Sequence, residues 1–117
     1  MGNNYDTRKN LSIVKIPIQK SSNENVEVIN FSYPEQKKFK RIYRRSEYDA
    51  EALISFEDKL LIFTKNKRKK ITEIYSLPKN GGNYQAKKIG SLNTDSIVTG
   101  GDYDKETNTL ALTSTIK

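Results

Sequence analysis

Between Tyr48 and Leu77 the apolar residues fall in runs of strand length, parted by polar turns. Tyr48-Asp49-Ala50-Glu51-Ala52-Leu53-Ile54 is followed by the turn Phe56-Glu57-Asp58-Lys59 and then by Leu60-Leu61-Ile62-Phe63-Thr64. A basic loop, Lys65 to Lys70, leads into Ile71-Thr72-Glu73-Ile74-Tyr75-Ser76-Leu77. The pattern predicts three strands joined by two turns. Leu60 to Phe63 is apolar on both faces and should be a central, buried strand. Ile71 to Leu77 alternates, placing Ile71, Glu73, Tyr75 and Leu77 on one side.

The flanking chain continues in the same manner. Met1 to Asn10 is polar and reads as a flexible start. Leu11 to Ile18 is a strand-like run in which Pro17 removes a ladder donor, marking an edge or an end. Val26 to Tyr33 is a second run; its apolar phase shifts near Ile29, which suggests a bulge or burial on both faces. Glu35 to Glu47 is dense in charge and reads as an irregular loop. Pro78 to Asn83 is a turn signal. Tyr84 to Leu92 reads as an outer strand with Lys87 and Lys88 facing water, and Ser96 to Asp102 and Thr109 to Ile116 form a last pair. No long helical stripe occurs, so the fold class is all-β, antiparallel, with little helix.

Composition excludes several chemistries. The 117 residues include no cysteine and no histidine. Disulfides and thiol chemistry are therefore out, as are the commonest general base and every His-dependent triad. Any metal would be a hard cation on carboxylates and carbonyls. No apolar run approaches the roughly 20 residues of a membrane helix, and the start lacks the apolar core of a signal peptide. The chain reads as cytosolic or as a piece of an exported parent. A net charge of +7 suits a polyanion partner, although lysines also keep strand edges soluble.

Leu60, Ile62 and Thr64 are matched about fifty residues on by Leu110, Leu112 and Ser114, a period in the range of β-propeller blades. Upstream of each lies a short strand, Tyr48 to Ile54 and Val98 to Asp104. Four strands at 48–55, 59–65, 71–77 and 84–92 have the shape of one blade. The residues also resemble a known group. Asp49-Ala50-Glu51-Ala52-Leu53-Ile54, Leu61-Ile62-Phe63-Thr64-Lys65-Asn66, Ile74-Tyr75-Ser76-Leu77-Pro78 and Thr99-Gly100-Gly101-Asp102-Tyr103-Asp104 together look like a run from an uncharacterised bacterial β-propeller family. The resemblance covers roughly residues 11 to 116. Members of that family are often exported or surface-associated. The Asp-Ala-Glu-Ala element is also similar to the first blade strand of phytase-like and esterase-like propellers, where acidic residues face a central channel. The tryptophan of WD-type and kelch-type blades is absent. The expected organisation is a flexible 1–10, a partial blade and basic loop at 11–47, a full blade at 48–95 and the start of another at 96–117. A closed propeller needs at least four blades, so such a chain would self-associate or join missing blades of a longer protein.

Three sets of residues are candidate sites. Asp49 and Glu51, two apart on a strand, should share a face and hold calcium or orient a substrate; alternatively Asp49 caps a turn and Glu51 pairs with a neighbour such as Lys65. The positions fifty residues on, Thr99 and Gly101, carry no acid. Lys37, Lys38, Lys40, Arg41, Arg44 and Arg45, interleaved with Phe39 and Tyr43, are the candidate polyanion contact. The run Lys65 to Lys70 reads more simply as a solvated loop. Asp102, Asp104 and Glu106 have part of a calcium-loop spacing but lack its glycine and distal glutamate, which leaves an acidic turn. The leading expectation is a non-catalytic propeller-type binding or scaffolding module. The alternatives are a calcium-assisted hydrolase-like fragment and a nucleic-acid or polyanion binder, the latter not favoured.

Overall fold

Short β-rich runs parted by turns become nine strands in the computed structural model, which describes residues 3, 6–18, 26–39 and 46–115. None of the described residues is helical. The strands are β1 (Leu11–Lys15), β2 (Glu27–Ser32), β3 (Asp49–Phe56), β4 (Lys59–Lys65), β5 (Thr72–Pro78), β6 (Gly82–Gln85), β7 (Lys87–Leu92), β8 (Ile97–Asp104) and β9 (Thr109–Thr115). They make three small sheets, ordered β1-β2-β6, β3-β4-β5-β7 and β8-β9, and all pairings but β2–β6 are antiparallel.

The sheet β3-β4-β5-β7 is the middle layer. Side chains alternate across a strand, so β4 sends Ile62 to one face and Phe63 to the other. Ile62 joins Tyr75, Leu77 and Ala50 against Leu11, Ile13, Ile29 and Phe31 of the first sheet. Phe63 joins Ala52 and Ile54 against Val98 of β8, with Leu61, Ile74, Tyr103 and Leu112 around them. This is why Leu60 to Phe63 is apolar on both faces: each face has its own core.

The strand expected at Tyr84 to Leu92 is split. Gly82–Gln85 leaves the middle sheet and runs parallel to β2, whereas only Lys87–Leu92 pairs with β5. Ala86 is the pivot; it is fully buried and its N–H donates to the Ser32 carbonyl at 2.8 Å. The bulge expected near Ile29 does not form. β1 and β2 pair without a slip from Leu11↔Phe31 to Lys15↔Glu27, and the extra apolar residue, Val28, lies exposed. Near the N-terminus Asn3 and Asp6 are buried, Asn3 hydrogen-bonded to Asp49 at the start of β3 and Asp6 to Glu47 and Tyr48 just before it.

The repeat is sharper in the strands than in the letters. In β3–β4 the register slips between Ala50 and Ala52, so Glu51 is the extra residue of a bulge. In β8–β9 it slips between Val98 and Gly100, at Thr99. Counted from the hairpin ends Phe56↔Lys59 and Asp104↔Thr109, the two bulges occupy the same place. The loop is longer in the second hairpin, so the counterparts of Asp49 and Glu51 are Ile97 and Thr99, not Thr99 and Gly101. β3 and β8 approach through small residues: a Cβ built on Gly101 would lie 3.5 Å from the Cβ of Ala52.

Candidate functional site

Asp49 begins β3 opposite Lys65, the last residue of β4. Its carboxylate is buried and accepts the Asn3 backbone N–H at 2.8 Å through Oδ1. Oδ2 lies 3.5 Å from Lys65 Nζ and 3.5 Å from Lys67 Nζ. The bulge puts Glu51 out of phase with Asp49, so the two do not share a burial environment: Glu51's side chain is 47% exposed and Asp49's 3%. Both nonetheless reach one point, because Glu51 Oε1 lies 2.7 Å from Lys65 Nζ. The carboxylates thus converge on an ammonium group, in the pairing with Lys65 weighed above. Among the described residues no group of three or more acidic side chains is disposed to hold a metal ion. A cation at Asp49 and Glu51 would have to displace Lys65.

The basic run Lys65 to Lys70 divides. Lys65 and Lys67 turn toward Asp49, and Arg68 approaches Glu47 at 3.9 Å. Lys69 and Lys70 are exposed. The loop is shaped by Asn66, whose side chain accepts the Lys69 N–H at 3.0 Å while its backbone pairs with Ile71. Lys37 and Lys38 are exposed; Lys40, Arg41, Arg44 and Arg45 lie outside the described residues, as does Tyr43. Asp104 shapes its own turn, accepting the Glu106 N–H at 3.2 Å and the Thr107 hydroxyl at 2.6 Å. The Thr107 contact, then the backbone N–H, hold its carboxyl below the ordinary value.

Two features escape the sequence reading. Asp6, at a left-handed φ of 55°, accepts the N–H groups of Glu47 and Tyr48 at 2.8 and 3.1 Å. Burial pushes its carboxyl upward, and those two N–H groups oppose the shift only in part. No local pattern marks Asp6, since its partners lie more than forty residues away. The second is a tyrosine cluster: the Tyr33 ring lies 5.2 Å from Tyr48 and 4.7 Å from Tyr75. Burial raises all three phenols, Tyr48 to about 12 and the others beyond that. Glu73, buried beside Tyr75, pairs with Lys88 at 3.2 Å. A shallow groove of about 360 Å³ beside the first sheet is lined by Lys9, Asn10, Asn30, Phe31, Asn83 and Tyr84 among others, with Lys9 its one charged group.

Comparison with protein-family models, with curated proteins and with solved structures finds no match to this chain. The class that fold and geometry define is therefore a coarse one: an all-β protein of three small, mostly antiparallel sheets, with no closed or propeller arrangement among the described residues.

Proposed function

We propose that the chain is a non-catalytic binding or scaffolding module built from propeller-type blades, one whole and two partial. One observation carries this reading. The same hairpin, bulge included, recurs in two successive sheets packed face to face. Repetition of a four-stranded antiparallel unit about a common axis is what makes a propeller, and small residues where the first strands meet let such sheets fan outward. The resemblance to the bacterial β-propeller family supports the same reading. The lack of histidine and cysteine, and carboxylates held by lysines, support a role in binding rather than turnover.

The stacking is testable because the chain has no cysteine of its own. The variant Ala52→Cys/Gly101→Cys sets two Cβ atoms at 3.5 Å, within the range a disulfide spans. Mild oxidation should lock it within one chain, seen by mass and gel mobility. Failure to form in a variant that keeps the circular dichroism of the parent chain would overturn the stack. Ester and phosphate-ester substrates should be turned over no faster than in buffer; turnover removed by Asp49→Asn would refute the non-catalytic reading.

One observation favours the calcium alternative: oxygens of Asp49 and Glu51 converge on one cation position, held by Lys65 Nζ. Under that reading millimolar calcium raises the melting temperature, through binding to the native state alone, and Asp49→Asn abolishes the rise. Under the leading reading the melting temperature stays where it is.

A further inference from the structure

Among the described residues, the hairpins β1–β2 and β8–β9 of the two outer sheets each correspond to two of the middle sheet's four strands. β8 and β9 repeat β3 and β4, but among the described residues nothing follows them as β5 and β7 follow β4. At the other end of the stack, β1 and β2 have no described strands preceding them in their sheet. Direction makes the halves complementary. β2 runs parallel to β6, which passes through the single residue Ala86 into β7. β2 therefore runs in the sense of β7, and β1, antiparallel to it, in the sense of β5. Among the described residues no strand pairs with β1 on the side away from β2, and none pairs with β9 on the side away from β8.

We propose that β9 of one copy pairs edge to edge with β1 of a second copy, joining the two outer sheets into β8-β9-β1-β2-β6 across the contact, in which β8-β9-β1-β2 reproduces the order of β3-β4-β5-β7. This rests on the blade reading above. It accounts for the exposed apolar residues. Val14 and Val28 pair directly across β1–β2 and are 54% and 42% exposed, on the face turned away from the first core. In the completed sheet that face becomes continuous with the face of β9 that carries Leu110 and Leu112. It then covers the outer half of the first copy's middle sheet, where Ile74 is half-buried and Leu92 of β7, paired with Thr72, is exposed. Monomers rarely leave paired apolar side chains beside an open strand edge, because both invite association.

Charge favours the same occupant. Among the described residues, those up to Phe39 hold five Lys or Arg against three Asp or Glu, and those from Asn93 onward hold one against four. The described first-sheet segment is net basic and the β8–β9 segment net acidic, which suits head-to-tail contact and opposes head-to-head. Each added copy brings one middle sheet and completes one composite sheet. Rings of about two to four copies would reach the sheet number of closed propellers; a rotation that does not close would give a filament.

Light scattering behind size exclusion tests this with the 117-residue chain. The expected mass is a multiple of the monomer that falls on dilution and as salt is raised. Val14→Lys impairs only the β1 end, and Leu110→Lys only the β9 end. Each variant alone should be monomeric, its association weakened by about tenfold or more, as 1.4 kcal/mol would do. An equimolar mixture should form a species of two chains, because the intact β9 of one meets the intact β1 of the other. Circular dichroism verifies that each variant is folded, and Ala111→Lys replaces Leu110→Lys if the latter is not. A monomeric wild type, an assembly that survives both substitutions, or a mixture that stays monomeric overturns the proposal. The intrachain disulfide at Ala52 and Gly101 reports on the blade stack separately: if it forms in a monomeric wild type, the stack stands and the association falls.

Discussion

Asp49 accepts the Asn3 backbone N–H and lies between two ammonium groups, so its removal takes the acceptor from a buried N–H, while Lys65 keeps Glu51. Asp49→Ala should cost about 1–3 kcal/mol in urea unfolding, the penalty of buried polar groups left unpaired. Asp49→Asn, which still offers an oxygen to the Asn3 N–H, should cost less; an equal or larger loss would move the weight to the ion pairs. Asp6 and Asp104 separate under acid. Asp6, raised by burial, binds its proton in the native state before the unfolded chain would. It therefore favours the fold increasingly as pH falls through that raised value toward the ordinary one. Asp104, held low by the Thr107 hydroxyl, contributes above the ordinary carboxylate range and ceases to as pH falls through its lowered value. Carboxyl-carbon NMR should show Asp6 titrating above Asp104; the reverse order would contradict both environments. The pairing of Glu51 with Lys65 was legible in the sequence because opposite charge is a local signal, whereas the shared face expected of Asp49 and Glu51 was not kept, because the bulge at Glu51 breaks the strand spacing. Asp6 was not legible, because its worth comes from amides far along the chain.

Strand positions followed from apolar runs, and β4 occupies the span expected of it. The sequence could not place the slip at Glu51. A bulge leaves alternation intact on either side and shows only when two strands are set against each other, as when Ala50 meets Thr64 and Ala52 meets Phe63. Nor could it divide β6 from β7, since β6 is recruited by β2, more than fifty residues earlier. The same geometry separates two glycines that look alike in sequence. A methyl on Gly101 would lie 2.8 Å from Leu112 Cδ2 and 3.3 Å from the Ala111 carbonyl, whereas one on Gly90 meets nothing within 4 Å. Gly101→Val should therefore destabilise by about 1–3 kcal/mol through overpacking. Gly90→Ala should be neutral or stabilise by up to about 1 kcal/mol through the unfolded chain. Thermal unfolding of the pair decides it: equal effects would mean that Leu112 and the Ala111 carbonyl of β9 do not crowd Gly101.

The tyrosine cluster joins the first sheet's segment to the middle one, so it reports on the molecule as a whole. Tyr33 follows β2, Tyr48 precedes β3 and Tyr75 lies in β5, and their rings touch across the junction. All three phenols are raised by burial, Tyr48 to about 12. A raised phenol contributes its full stability below the unfolded value near 10, and that contribution is lost as pH climbs through the folded value. The three should therefore ionise together with unfolding rather than before it, giving a cooperative rise in tyrosinate absorbance that coincides with loss of β-sheet dichroism at strongly alkaline pH. A gradual rise in a chain that keeps its dichroism would mean the sheets part at this junction while each stays formed. Tyr33→Phe sharpens the test. Its hydroxyl is buried without a hydrogen-bond partner among the described residues, so removing it should leave stability at neutral pH unchanged or raise it by about 1 kcal/mol. The same substitution takes one phenol out of the alkaline transition and leaves the rest cooperative. If it instead destabilises the fold, the hydroxyl has a partner, and the junction between first and middle sheets is held by a polar contact as well as by ring packing.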